Sequence, residues 1–521
     1  MKRSASVRRI PARPSRDAAR GPLAGLDIFA LIEEMLDEDA DDDQLETLFD
    51  TALEMAEDGA NEVPDGLLSD LESALDQARI DANGGDREAR RELKAVRRKL
   101  DRAISSGAVH PTALIVFGKV FAAAGLDIGE TARAAVRGVL EGGFIPAGAD
   151  FYEALVAPLL PPAGDDPFAL YELVQQVTAI FPLEERIAAA AGLAADASPI
   201  ARRAAIGFLL HPDDALASAA IKALAESSGA MDGQSRKRIE TIRPWLAPRR
   251  RAALETAFGP APSGDLAALS AAAPAKVVRL AATTRDGSGA SALFASLKRG
   301  SRYAFAAIMI KPNGVVEALQ EEDLSRADAE TIEFTQAAAA PFYDVRPDTF
   351  ARILRLALGR NLAANTPPPF ALVEVVEMLG HGPLSPDLST PADILQRLVA
   401  EIPDRDLAAR IAGAHRDVAD CEIFASWFEA GEQVDKALKR VDFVGEGADV
   451  LLKSYLPARR EFWAAQCAMS ALALRDGAAA NKPLWRQLAL VGRDIAGDKP
   501  LDSIPLMRRI AEQSAAHFMA E

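Results

Sequence analysis

The chain has 521 residues, of which 49% are hydrophobic and only 6% aromatic, and its formal net charge is −17. That is enough apolar material for about three domains or one extended repeat array, and an alanine-rich, aromatic-poor balance favours closely packed helices over a β-sandwich. The negative charge opposes binding of the whole chain to nucleic acid or to an anionic membrane, so any such contact needs a local basic patch.

In chain order, Met1–Arg20 carries seven Lys or Arg against the single acid Asp17. It reads as a disordered basic arm, taken here as 1–26. It has no apolar core of the kind a secretory signal needs, and Pro11 and Pro14 argue against the amphipathic helix of a transit peptide. The sign then flips: from Asp27 to Asp58 there are acids and no Lys or Arg, with Leu31, Met35, Leu45, Leu48, Phe49 and Leu53 forming a helical stripe. The basic arm could fold back on this acid; the plainer reading is a solvated helical pair. Asp39, Asp41 and Asp43 invite an EF-hand, but the loop lacks the glycine and closing glutamate that calcium coordination requires. Residues 27–105 are therefore expected to be an acidic and then a mixed-charge helical segment. Pro158–Pro167 reads as a linker or long turn.

Leu183–Ser227 reads as three consecutive helices. Ser198 is a natural N-cap and Pro199 suits the first helical position, where its missing N–H costs nothing. Asp213 or Asp214 then caps the next helix. The segments Asp196–Leu209 and Asp213–Leu224 share an Asp-led joint, paired alanines (Ala204-Ala205 and Ala219-Ala220) and a closing leucine. In this pattern, over about 45 residues, the stretch resembles HEAT-type helical repeats. The resemblance implies a HEAT-like helical region over 106–260; the contact with another protein is expected on a concave helical surface or on a free sheet edge.

Gln234–Leu254 holds Arg236, Lys237, Arg238, Arg243, Arg249, Arg250 and Arg251 around Trp245. Such a patch could contact phosphates and stack a base; it could equally be a solvated helix face with Trp245 as a core anchor.

Only Lys276–Leu319 reads as strand. Asp286-Gly287-Ser288-Gly289, Arg299-Gly300-Ser301 and Pro312-Asn313-Gly314 are hairpin signals, the last suited to a type I turn with a bulge at Gly314. Tyr303–Ile310 is apolar on both alternating faces, which places it centrally in a small antiparallel sheet covered by helices. The sheet is expected to divide two helical halves, with 321–521 forming the second. There, Ser325 or Asp323 and the pair Thr390-Pro391 look like helix starts.

No motif for chemistry is complete. The five histidines have no zinc spacing, and His415-Arg416-Asp417 lacks the other elements of a kinase. Gly287-Ser288-Gly289 lacks the remainder of a phosphate loop. Asp286 and Lys298 echo a nuclease pair, but Ser296 stands where the second acid is needed. Cys421 and Cys467 are too few for a disulfide scaffold and fit free thiols in a reducing compartment, and Thr112–Phe117, the strongest apolar run, stops at Lys119. The expectation is thus a mostly α-helical cytoplasmic protein, a helical-repeat or layered bundle with one small antiparallel β-meander at about 276–319, needing no cofactor or metal and making no membrane contact. The favoured function is a non-catalytic scaffold for another protein. The first alternative is a nucleic-acid-associated factor using 236–251 and the basic arm. The second is an enzyme whose pocket sits at the sheet–helix junction near Asp286 or Glu317.

Overall fold

The computed structural model describes residues 44–56, 63–84, 87–110, 113–141, 150–260, 275–339, 341–380, 382–403, 418, 421–476 and 482–520. The basic arm, the acids before residue 44, His381 and the tripeptide at 415–417 lie outside these residues. The fold is mostly helical with one small antiparallel sheet.

Helices α1 (Gln44–Met55) to α5 (Glu130–Glu141) form the first layer. The proline-rich stretch expected as a linker is helical instead. A 3₁₀ turn (Ala157–Leu159) and the short helix α6 (Leu160–Ala163) precede α7 (Pro167–Thr178). Prolines are tolerated here because they stand in first turns, whose N–H groups need no intrahelical partner. Asp166 caps α7, accepting hydrogen bonds from the Phe168 and Ala169 N–H groups at 2.8 and 3.2 Å.

The three expected helices follow as α8 (Leu183–Ala195), α9 (Pro199–Ala205, continued as a 3₁₀ turn to Leu210) and α10 (Asp214–Glu226). Ser198 and Asp213 are the caps. The basic stretch forms α11 (Gly233–Ile242) and α12 (Pro248–Phe258), joined by a 3₁₀ turn at Arg243–Trp245.

The sheet contains β1 (Lys276–Thr283), β2 (Ser291–Arg299), β3 (Arg302–Lys311), β4 (Gly314–Leu324) and β5 (Phe342–Asp344), in the order β4-β3-β2-β1-β5. The meander is as expected. β3 lies inside the sheet between β2 and β4, as expected, and three residues after the next helix add β5 outside β1. At the β3–β4 turn Lys311 pairs with Gly314, whose φ is +121°, and the register shifts between Met309 and Ile310. Leu280, Ala282, Leu293, Leu297, Ile308, Ile310 and Val315 share one face of the sheet and join the main core. Helices α14 (Pro347–Ala364), α15 (Ala371–Met378) and α19 (Arg460–Arg475) pack against the sheet on that side. The opposite face carries Ala281, Phe294 and Phe305, covered by Ala329 and Ile332 of α13 (Arg326–Ala339). Ser325 is the residue that caps α13, in a reciprocal pair with Asp328. The start of α16 (Pro391–Ala400) has a full capping box between Thr390 and Asp393.

The sheet does not divide the helices. Arg238 of α11 makes two 3.0 Å bonds to Glu377 of α15, and the Trp245 indole donates to the Leu384 carbonyl at 2.9 Å. The Phe168 and Phe370 rings meet with centroids 4.6 Å apart. One buried apolar cluster runs from Leu45 in α1 to Ala515 in α21 (Pro505–Ala520). The sheet is embedded in that cluster because its main-core face is apolar along all four long strands.

Candidate functional site

The basic stretch does not form one exposed patch. Arg238, Arg243, Arg250 and Trp245 are buried. Arg238 is paired with Glu377, as described, and its guanidinium lies 4.4 Å from the Phe168 ring centroid. Arg243 bonds both Glu240 oxygens at 2.8 and 2.6 Å and the Gly259 carbonyl at 3.1 Å. Arg250 donates to Asp214 at 2.6 Å and to the carbonyls of His211 and Pro212 at 2.6 and 2.9 Å. Half-buried Arg251 reaches the carbonyls of Pro244 and Leu246 at 3.0 and 3.1 Å. These four arginines staple helix ends together, and Trp245 is a core anchor that cannot stack a base. Arg236 and Arg249 remain exposed, with Lys237 half-buried beside them.

A cleft of about 420 Å³ lies at the junction of helices and sheet. Four stretches build it, among them Leu210 and Pro212 at the joint between α9 and α10. Helix α7 supplies Phe168, Tyr171 and Glu172; the β3–β4 hairpin supplies Asn313, Val315 and Val316; and Asn361 with 366–371 supplies Thr366, three consecutive prolines and Phe370. The prolines follow the end of α14, where Asn365 takes the left-handed conformation and terminates the helix.

Buried Asn361 holds the floor. Its amide oxygen accepts from the Val315 N–H at 2.8 Å, and its amide nitrogen donates to the Val315 and Thr366 carbonyls at 3.0 and 2.9 Å. It thereby makes the pair of bonds that a neighbouring strand would make to β4. A side chain at Gly314 would collide with it, since a Cβ there would lie 2.3 Å from the Asn361 amide carbon. β4 pairs only with β3 and is therefore an edge of the sheet.

The charge at the cleft is negative. Among its lining residues only Glu172 is charged. Desolvation raises the Glu172 carboxyl above the ordinary range, and the nearby Asp166 and Glu317 push it the same way. In α15, next to the cleft, burial pushes the Glu374 carboxyl up to about 8; Asp166 and Glu322 add to this and Arg238 opposes it. Among the described residues no Lys or Arg forms an ion pair with Asp166, Glu172, Glu317 or Glu374. Arg238, the nearest cation, is committed to Glu377.

The other candidate groups are structural. The β1–β2 turn is held by Asp286, whose carboxylate accepts from Ser288 Oγ and the Ala290 N–H, each at 2.8 Å. Lys298 lies over the Tyr303 ring, and Ser296 bonds Glu333. His211 is buried at a helix end, its Nδ1 accepting from the Asp213 N–H at 2.9 Å. Burial and Arg186 lower it to about 4. Cys467 is buried, which raises its thiol, and both cysteines are free. Among the described residues no group of three acids, histidines or cysteines could hold a metal ion, and no helix is long and apolar enough to cross a membrane. The sequence points to the cleft only indirectly, through the Pro367-Pro368-Pro369-Phe370 break and the Pro312-Asn313-Gly314 turn.

Two parts of the chain are similar to described protein families. Residues 182–262, helices α8 to α12, match the model of the Y4lR second domain. Residues 392–519, from α16 into α21, match the Y4lR C-terminal helical domain. Together these cover less than half of the chain, and the sheet and most of the cleft lie outside both. No curated protein and no solved structure matches.

Proposed function

We propose that the chain is a non-catalytic helical scaffold that holds another protein at the helix–sheet junction. The observation that carries this reading is the cleft itself: an apolar, aromatic- and proline-lined groove at the turn end of β4, whose strand edge is open beyond Val315. Such grooves suit extended peptide segments, which gain main-chain hydrogen bonds from a strand edge and specificity from side-chain pockets. The HEAT-like reading of 183–227 belongs to this proposal, supported by the packing of α8 on α10 around the short α9. So does a cytoplasmic location, with which the two free thiols are consistent.

The pocket sits beside Glu317, where the enzyme alternative places one. Its polar groups favour binding over reaction: Asn361 is fully engaged with backbone, leaving Glu172 without a paired nucleophile or base on the lining. A photoreactive amino acid at Val316 tests the scaffold reading in the native cell. A discrete adduct with another protein, absent when the same group replaces the exposed Lys222 of α10, is the expected result. The same products from both positions, or none from Val316, would end the proposal.

A further inference from the structure

We infer that the cleft beside β4 accepts an extended, arginine- and proline-bearing segment, and that residues Val7–Arg16 of the same chain are its resident occupant. This rests on reading the cleft as a docking site and adds the chemistry of what docks there.

The lining points to such a segment. Phe168, Tyr171 and Phe370 beside Pro367-Pro368-Pro369 form an aromatic and proline-rich wall. Proline-rich segments enter such walls with little ordering cost, because their extended left-handed helix is already formed and its carbonyls are free. Charge points the same way. Glu172 lines the groove with Asp166 and Glu317 beside it, and no cation of the described fold pairs with any of the three. A segment delivering guanidinium groups supplies what is missing.

The arm has the matching composition. Val7-Arg8-Arg9-Ile10-Pro11-Ala12-Arg13-Pro14-Ser15-Arg16 contains four arginines, two prolines and no acid. In a helix of three residues per turn, Arg8, Pro11 and Pro14 fall on one face. With both prolines set against the aromatic wall, Arg8, one turn earlier on that face, is offered to the acids beside it. Reach sets no limit. The 28 residues from Arg16 to Gln44 can span up to about 90 Å, against a radius of gyration of about 24 Å for a folded chain of this size. Tethered this way, the arm competes with any partner segment of the same chemistry.

The test uses the full chain and a fluorescent peptide of residues 7–16, followed by anisotropy. The wild-type chain, its groove occupied, should bind the peptide at least tenfold more weakly than a chain carrying Arg8→Glu, Arg9→Glu and Arg13→Glu. Adding Glu172→Lys to that reversed chain should weaken binding again by at least tenfold, and Glu317→Lys should do the same. Circular dichroism checks that each variant is folded. Equal binding to the wild-type and reversed chains, no binding to either, or unchanged binding by a peptide with glutamate for arginine would overturn the inference. Mapping the Val316 photo-adduct separates the two proposals. Adducts within the chain at 7–16 but never with another protein keep the arm and sink the scaffold. Adducts with another protein but never with the arm do the reverse.

Discussion

The basic stretch at 236–251 and the cleft beside β4 treat charge in opposite ways. In the first, the cations turn inward, and each buried arginine meets a carboxylate or a set of carbonyls. In the second, the acids gather at an apolar groove without a cation of their own. A run of like charge in a sequence is thus a poor guide to charge on the surface. The basic run is largely spent on holding helices together, while the acids beside the groove, Asp166, Glu172 and Glu317, come from α7 with its cap and from β4.

The largest effect that would sharpen this contrast is expected from Arg238→Ala. It strips Glu377 of its partner in a largely enclosed site and should cost about 3–5 kcal/mol in urea unfolding. A loss below about 1 kcal/mol would show that the inward arginines are not structural. Next comes Asn361→Ala, which leaves two carbonyls and one N–H without their partner. The expected cost is about 2–3 kcal/mol, with faster amide exchange at Val315. Unchanged exchange would mean that Asn361 does not close that part of the edge.

A pH titration probes the cleft side. Glu374 titrates near 4.5 when unfolded and at about 8 in the fold. Between those values the unfolded chain has released this proton while the folded chain keeps it. The group's favourable contribution is therefore complete below about pH 4.5 and is lost as the pH rises through about 8. Glu374→Gln should flatten the fall in melting temperature over that window, and an unchanged slope would argue against the enclosed carboxyl. The smallest effect belongs to Arg249→Glu on the exposed side of α12, expected within about 0.5 kcal/mol of wild type. This also decides how nucleic-acid binding is tested. Reversing Arg250 together with Arg249 and Arg251 would destabilise the fold, whereas Arg236→Glu, Lys237→Glu and Arg249→Glu together leave the buried ties intact. No binding at low salt, or binding unchanged in that triple variant, would remove the role of this face.

What could be read in advance was local. Ser198-Pro199, Asp213 and Thr390-Pro391 announce helix starts because a cap needs only its own next few residues. The glycine turns announce the hairpins for the same reason. What was hidden depends on distance along the chain. Arg238 and Glu377 are 139 positions apart, so the pairing that buries the arginine leaves no trace in either neighbourhood. β5 is three residues long, too short for alternation to register. The cleft draws on four separate stretches, each unremarkable by itself: a helix start, a joint between two helices, a tight turn and a proline break. The proline stretch at 158–167 looks like an interruption because its prolines are consecutive, yet prolines also suit helix first turns.

The amide of Asn361 has a consequence for assembly. It behaves as a surrogate strand one residue long, occupying both hydrogen-bonding groups of Val315 at the turn end of β4. A visiting chain cannot slide along the edge past that point, because the first rung of the ladder is already taken. Pairing has to begin beyond Val315, which fixes the register of any added strand and limits how much of it β4 can hold. The same stop prevents β4 from offering its full length to an identical edge on a second molecule, the route by which open sheets polymerise.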